Sequence, residues 1–365
     1  MHLHQFQLTN FKNYAQQSLE LSPRLNCFTG LNGMGKTNVL DAVHFLCLCK
    51  SHGGLPDRNL VRHGESFLRL EGKFEQEGER TRIVAKFVVG QRKEIERNGV
   101  PYPRLTDYIG QYPVVMIAPD DITLVQEGSE ERRRFLDTTL SQISPVYLRN
   151  LVVYNNLLKQ RNALLKIFAE ERRFDATLLE GLDHQMPGPA QALFVQRQAF
   201  ITELRPLFQA AYAVLSGGHE TVEAHYRSDL EESDLAELLL AARDKDRLLQ
   251  RTTRGPHRDD LALVMDDHPV KKFASQGQLK SFLLALRLAQ YEMLRREKGV
   301  APLLLLDDIF DKLDEHRVRH LVGLLLSRDF GQIFITDTQR SRMEAIVTPF
   351  TGEYRIFEVA EGVIS

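Results

Sequence analysis

Cysteine is scarce in this chain, three in 365 residues, and what little there is cannot make a disulfide framework. The number is odd, and Cys47 and Cys49 are separated by a single residue on a predicted helix. No Cys or His pair at ligand spacing accompanies them, which sets aside a structural metal site and points to a reducing compartment, the cytoplasm. Long apolar runs are missing too: the longest candidates, such as Leu303 to Leu306, are strand-sized, so no membrane span is expected. The opening Met1 to Phe6 lacks a basic region followed by an apolar core, so no secretion signal is expected either. Charge of one sign is also wanting. With 47 basic and 49 acidic residues and a net charge of −2, the chain is not a small basic DNA-binding module. A local basic surface serves equally well in a neutral protein, so composition leaves a nucleic-acid partner open. Internal repeats and low-complexity tracts are absent. What is present is ordinary globular composition, 43% hydrophobic and 26% charged, in a chain long enough for two or three lobes.

The first 125 residues read as α/β. Ile83 to Val89 and Val114 to Ile117 predict strands, and Asn98-Gly99 between short extended segments predicts a hairpin turn. From about Ser129 to Gln250 the pattern turns helical. Ser129 is placed to cap a helix, with Glu130 and Glu131 in the favourable first turn. Leu151, Leu158 and Leu165 recur every seven residues, with Leu148 and Tyr154 on the same side, which predicts an apolar helix stripe. Met186-Pro187-Gly188-Pro189 and Ser216-Gly217-Gly218 interrupt the pattern. From about Arg254 α/β character returns, with strands expected at Leu261 to Met265, Leu303 to Leu306 and Ile333 to Thr336. The expected organisation is residues 1–125 and 253–365 as two halves of one α/β domain, with 126–252 inserted as a mainly helical lobe.

Gly30-Leu31-Asn32-Gly33-Met34-Gly35-Lys36-Thr37 fits G-x-x-x-x-G-K-T throughout, between a predicted strand (Leu25 to Thr29) and a predicted helix (Thr37 to Leu48). Glycines there let backbone N–H groups turn toward phosphate oxygens, and the helix N-terminus adds partial positive charge. Lys36 is expected to reach the β- and γ-phosphates of ATP, and Thr37 to offer its hydroxyl to Mg²⁺. A glycine-rich turn with an incidental lysine is the bland alternative, which the complete pattern in this context disfavours. Leu303 to Leu306 ending in Asp307-Asp308 reads as a buried parallel strand whose end meets the nucleotide. Asp307 is expected to hold Mg²⁺ through water. Asp308 is expected to orient or activate the attacking water. Without the loop, two carboxylates at a strand end would be an ordinary solvated turn.

Ser275-Gln276-Gly277-Gln278 opens a strongly apolar helix about 30 residues before that strand and matches the S-x-G-Q core of the ABC signature. A serine hydroxyl and a glycine backbone at a helix N-terminus suit a γ-phosphate. In ABC-type ATPases that phosphate belongs to the other subunit, so Ser275, Gly277 and Gln278 act only in a dimer. A plain N-cap is the alternative. Asp311-Lys312-Leu313-Asp314 occupies the place of the ABC D-loop. Two departures stand out. Asp337 stands where many ABC proteins carry a switch histidine, leaving Thr336 or Thr338 as sensor or hydrolysis slow. No Q-loop glutamine follows Val114 to Ile117, where Pro119-Asp120-Asp121 stands instead.

Four further blocks are similar to the RecF family. They are Leu8-Thr9-Asn10-Phe11-Lys12-Asn13-Tyr14, Gly128 to Asp137, Gly255-Pro256-His257-Arg258-Asp259-Asp260-Leu261, and Ala274 to Gln278. With the nucleotide motifs they run in the family's order from residue 8 to about residue 338. The resemblance implies a P-loop ABC-type ATPase head without a long coiled coil. It implies a homodimer formed on ATP, bound to duplex DNA near single-strand gaps. It also implies partnership with RecO and RecR in loading RecA, and weak DNA-stimulated hydrolysis acting as a timer. By the same resemblance Lys12 and Asn13 line the nucleotide pocket, with a plain surface turn as the alternative. His257-Arg258-Asp259 has no Asp-Phe-Gly after it and is not a kinase catalytic loop. Arg132, Arg133 and Arg134 are candidates for DNA contacts, although the glutamates beside them favour a solvated helix face. A transporter-type ABC ATPase is disfavoured by the inserted lobe. A GTPase is disfavoured by the lack of N-K-x-D.

Overall fold

A computed structural model describes residues 1–218, 220–310, 323, 325, 330–348 and 353–365. Two compact units divide it: Met1–Ile122, Ala211–His219 and Gln276–Ser365 form one, Thr123–Ala210 and Glu220–Ser275 the other. This packing division falls at 122/123 and 275/276, where the sequence reading sets 125/126 and 252/253.

The first unit holds two six-stranded sheets. One is antiparallel and built from β1 (His2–Phe11), β2 (Tyr14–Glu20), β4 (Phe67–Gln76), β5 (Glu79–Val88), β6 (Glu94–Arg97) and β7 (Val100–Pro101), in the order β2-β1-β4-β5-β6-β7. The β6–β7 turn carries Asn98 and Gly99 at φ 51° and 85°, the doubly positive geometry that an Asn-Gly hairpin supplies. The other sheet takes β3 (Leu25–Thr29), β8 (Val114–Ile117), β12 (Leu303–Leu306), β13 (Ile333–Asp337), β14 (Tyr354–Ala360) and β15 (Val363–Ile364), in the order β15-β14-β3-β13-β12-β8. All but the β14–β15 pair are parallel. The four residues of β12 are fully buried, as a central parallel strand covered on both faces requires.

Helix α1 (Lys36–Leu48) contacts strands of both sheets and buries eleven of its 13 residues. It is therefore buried nearly all round rather than on one stripe, with Lys36, Asp41 and His44 among the buried residues. Gln332 fastens the sheets together elsewhere: its side chain accepts from Leu3 N at 2.7 Å and donates to Leu3 O at 2.8 Å and Ser22 O at 2.7 Å.

The second unit is mainly helical, with one small sheet. The helix Ser129–Ile143 is capped by Gly128, not by Ser129, which is its first residue. Next comes the 26-residue helix Pro145–Glu170, entered through Ser144, whose hydroxyl accepts from Tyr147 N at 3.1 Å. Its buried stripe shares Tyr154 and Leu165 with the stripe that the sequence suggests and differs in the rest. Tyr147, Tyr154 and Arg161 form the seam with Leu157 and Leu165, while Leu148, Leu151 and Leu158 are half-buried. Met186–Pro189 is less a break than a start, because the helix Pro187–Ser216 opens on Pro187, whose missing N–H costs nothing in a first turn. β9 (Val222–Arg227), β10 (Asp260–Met265) and β11 (His268–Pro269) make the antiparallel sheet β11-β10-β9. The strand expected at Leu261 to Met265 is thus present, inside the second unit.

Candidate functional site

The phosphate-type loop leaves β3 at the middle of the parallel sheet and enters α1. Gly33 and Gly35 sit at φ 83° and 111°, a region that side chains with a Cβ rarely adopt. Gly35 is also sterically fixed, since a Cβ there would lie 2.3 Å from Asn13 Nδ2 and 2.9 Å from the Tyr14 hydroxyl. Asn13 and Tyr14 clasp the loop from β2 and the turn before it. Asn13 donates to Met34 O at 3.1 Å and accepts from Asn38 Nδ2 at 2.8 Å, and the Tyr14 hydroxyl donates to Gly35 O at 2.9 Å. Leu31, Asn32 and Gly33 form the exposed crest. Lys36 is buried, its ammonium donating to Gly30 O at 2.8 Å and Leu31 O at 3.2 Å, which uses two of its three N–H donors. Lys12 is engaged elsewhere, 2.7 Å from the carboxylate of Asp41 on α1.

Three residues from three elements converge at the sheet's C-terminal edge. The Thr37 hydroxyl lies 2.9 and 3.0 Å from the two Asp307 oxygens. Strand order places β13 between β3 and β12, and Thr336 on β13 fills the gap. Its hydroxyl donates to Asp307 Oδ1 at 2.7 Å and accepts from Asp308 N at 2.8 Å. Burial raises the Asp307 carboxyl above the ordinary range, and the two hydroxyls offset that only in part. A cation there removes the same cost. A hydroxyl and a carboxylate are also the hard oxygen donors that Mg²⁺ takes, with phosphates and water completing its shell. Among the described residues no cluster of three or more His, Cys, Asp or Glu suits a metal. Asp308 takes φ 42°, costing on the order of 1 kcal/mol for a residue with a Cβ. Its Oδ1 is buried with no hydrogen-bond partner among the described residues. Beside it opens a cavity of about 270 Å³ lined by Pro119, Ile122, Gln276, Lys280 and Leu283.

The helix Gln276–Lys298 begins immediately after Ser275, so Gly277 and Gln278 lie in its first turn. The place of the Q-loop is a turn, Pro119–Ile122, whose Asp121 side chain is largely covered. Burial alone would raise Asp121, but Arg287 at 3.0 Å and His52 at 2.8 Å outweigh it and hold the carboxyl below its usual range. The His52 backbone N–H donates to Asp41 Oδ1 at 2.7 Å, so hydrogen bonds run from Lys12 through Asp41, His52 and Asp121 to Arg287. Asp337 does not stand free as a switch residue. It is buried, accepts from Gln339 N at 2.6 Å and pairs with Arg342 at 3.1 Å. The D-loop assignment Asp311 to Asp314 lies outside the described residues.

The block Gly255 to Leu261 is structural within the second unit. Arg197, buried on the helix Pro187–Ser216, donates to Pro256 O at 2.8 Å, Asp259 Oδ2 at 2.9 Å, Asp137 Oδ1 at 2.8 Å and the Tyr147 hydroxyl at 2.9 Å. The Tyr226 hydroxyl adds a short bond to Asp259. His257 sits between the Tyr154 hydroxyl at 2.7 Å and Thr252 O at 3.0 Å, and burial lowers its pKa to about 4. The solvated helix face describes only part of the arginine triplet. Arg132 pairs with Asp260 at 2.7 Å, Arg133 donates to Asp259 O at 2.7 Å, and only Arg134 lies along its own helix's Glu130 and Glu131.

With this geometry in hand, the comparisons are specific. The family model "RecF/RecN/SMC N terminal domain" matches residues 2–364. The DNA replication and repair protein RecF of Flavobacterium johnsoniae is 43% identical over 98% of this chain and 100% of its own. The chain belongs to the RecF family. RecF of Bacteroides thetaiotaomicron is 42% identical over 100% of this chain and 98% of its own. A solved structure of the recombination mediator RecF with ATP superposes with a TM-score of 0.88 at 27% identity, covering 100% of this chain and 97% of that one. An Smc head domain from Pyrococcus furiosus gives 0.55 at 17% identity, over 100% and 95%, and shares the fold alone. The RecF-family head is thus an α/β, SMC-like fold here as in its relatives. Among the described residues no helix is long and apolar enough to cross a membrane. Sequence reasoning missed two contributors: Tyr14, present in the family's opening block, and Arg287, whose signal was a charge flanked by apolar residues, Leu283 to Leu286 and Leu288 to Ala289.

Proposed function

We propose that this chain is an ATP-gated, DNA-binding protein of recombinational repair and replication-fork maintenance. The observation that carries the reading is the joining of Thr37, at the end of the phosphate-type loop, to Asp307, at the end of β12, within 3.0 Å. That is the arrangement a nucleotide with its metal needs, and RecF relatives with ATP share the fold.

ATP lies along Gly30 to Thr37, with Lys36 turned to the β- and γ-phosphates. Thr37 and Asp307 hold Mg²⁺, which when bound neutralises phosphate charge and polarises the terminal phosphoryl group. Asp308, held through its backbone N–H by Thr336, orients the attacking water. Ser275, Gly277 and Gln278 close on the γ-phosphate of a second copy, so ATP drives a homodimer. That dimer binds duplex DNA near single-strand gaps and works with RecO and RecR to favour RecA loading. Slow hydrolysis releases it, as a timer. Cytoplasmic location follows from that role.

The test is ATP turnover with and without a gapped duplex across salt concentrations. The reading expects stimulation by DNA, binding that falls steeply with salt because phosphate contacts release counterions, and loss of ATP binding in Lys36→Ala. DNA binding that is indifferent to both ATP and salt would sink it.

A further inference from the structure

A second concave site lies in the second unit, at the C-terminal end of the helix Pro145–Glu170. Its cavity of about 400 Å³ is lined by Arg172, Arg173 and Arg247 together with Phe168, Phe174 and Leu165. The two rings meet edge to face, with centroids 5.3 Å apart at 78°. The Arg247 guanidinium lies over the Phe174 ring, 4.0 Å from its centroid, so its charge is pre-oriented rather than free to swing. The chain reverses sharply here, with Arg172 at φ 52°, and this sets two successive arginines on one rim. Asp244, 3.3 Å from Arg247, is the lining carboxylate and its side chain is 94% exposed. It subtracts little from three positive charges. Leu248, 82% exposed, completes the mouth.

We propose that this cavity is a docking site for an acidic peptide segment of a protein partner that carries one large apolar side chain between carboxylates. Charge complementarity selects the acidic flanks: guanidinium forks take carboxylates in paired hydrogen bonds, and arginine clusters are a recurring mode of acidic-motif recognition. The apolar floor selects the central residue, because Phe168, Phe174 and Leu165 offer an aromatic or aliphatic side chain a partner that a solvated acidic tail lacks. A nucleic-acid strand fits less well. It needs cations spaced along a track, whereas these arginines converge on one cavity with an apolar floor. The inference is independent of the nucleotide site.

The test is fluorescence anisotropy on the full chain with a fluorescein-labelled acidic heptapeptide containing one central phenylalanine. Binding is expected, weakening at least tenfold in Arg172→Ser/Arg173→Ser and also when alanine replaces the peptide's phenylalanine. Both arginines are exposed, so the double variant should keep the wild-type melting temperature and ATP turnover. No binding overturns the proposal. So does binding that survives the arginine replacements, or that ignores loss of the phenylalanine. Displacement of the peptide by an equal concentration of oligo-dT would reassign the cavity to single-stranded nucleic acid.

Discussion

Replacing Thr336 with valine isolates the bridge between the acidic strand and its neighbour. The swap keeps the shape and removes only the hydroxyl, which now donates to Asp307 at 2.7 Å and accepts from Asp308 N at 2.8 Å. Thr336 is 0% exposed, so water does not substitute. Asp307 keeps its bonds from Thr37, but leaving the Asp308 N–H unsatisfied costs about 1–3 kcal/mol, which for a unit of this size lowers the melting temperature by about 2–12 °C. The catalytic consequence is larger in proportion. Asp308 relies on that bond to hold its backbone at φ 42°, and a shift approaching 1 Å in a reacting group costs up to about 100-fold in rate. Single-turnover hydrolysis should therefore fall about 10- to 100-fold in Thr336→Val. ATP affinity should stay within about threefold, since phosphate binding rests on the loop. Thr336→Ser, which keeps the hydroxyl, should recover most of the rate. Wild-type hydrolysis and melting in the valine variant would refute the bridge.

Asp308→Asn should bind ATP with unchanged affinity yet accumulate as a long-lived ATP dimer, seen as slow subunit exchange; rapid exchange at the wild-type rate would contradict its role. Arg161→Met tests the interior of the second unit. Arg161 is fully buried between Asp183 and Asp246, each at 2.6 Å, and leaving those carboxylates uncompensated costs about 3–5 kcal/mol, read as a loss in denaturant midpoint. Acid should destabilise the chain from pH 6.5 downward. Burial depresses His257 to about 4 from an ordinary 6.5, so the unfolded chain takes up a proton first. This contribution is complete above 6.5 and is lost as pH falls toward 4. It amounts to about 2 kcal/mol between pH 7 and pH 5. His44, lowered by burial to about 3, acts in the same direction. A His257→Gln variant should show a shallower pH dependence of its denaturant midpoint, and an unchanged slope would remove His257 from the account.

The parts of the candidate nucleotide site were legible in the sequence because each is contiguous. A glycine-rich loop, a strand ending in two carboxylates and a Ser-x-Gly-Gln helix start each write their chemistry into a few adjacent residues. The strand order that sets β13 between β3 and β12 is seen only in the structure. What stayed hidden depends on distant partners. Arg161 sits in the seam of its helix because Asp246, 85 positions on, neutralises it; the heptad reading favoured the leucines beside it. Likewise the role of Gly255 to Leu261 follows from Arg197, which joins Asp137, about 60 positions before it, to Pro256 and Asp259, about 60 positions after it. Asp121 and Arg287 were opaque for the same reason, as neither residue carries a local sign of the other.

The central claim is that the signature residues act on a second copy's nucleotide. Light scattering of the wild-type chain and of Ser275→Arg, with and without ATP, tests it most directly. The account predicts that ATP converts wild-type monomer to dimer, while Ser275→Arg binds ATP with near-normal affinity and stays monomeric. A variant that dimerises on ATP as readily as the wild type would contradict it.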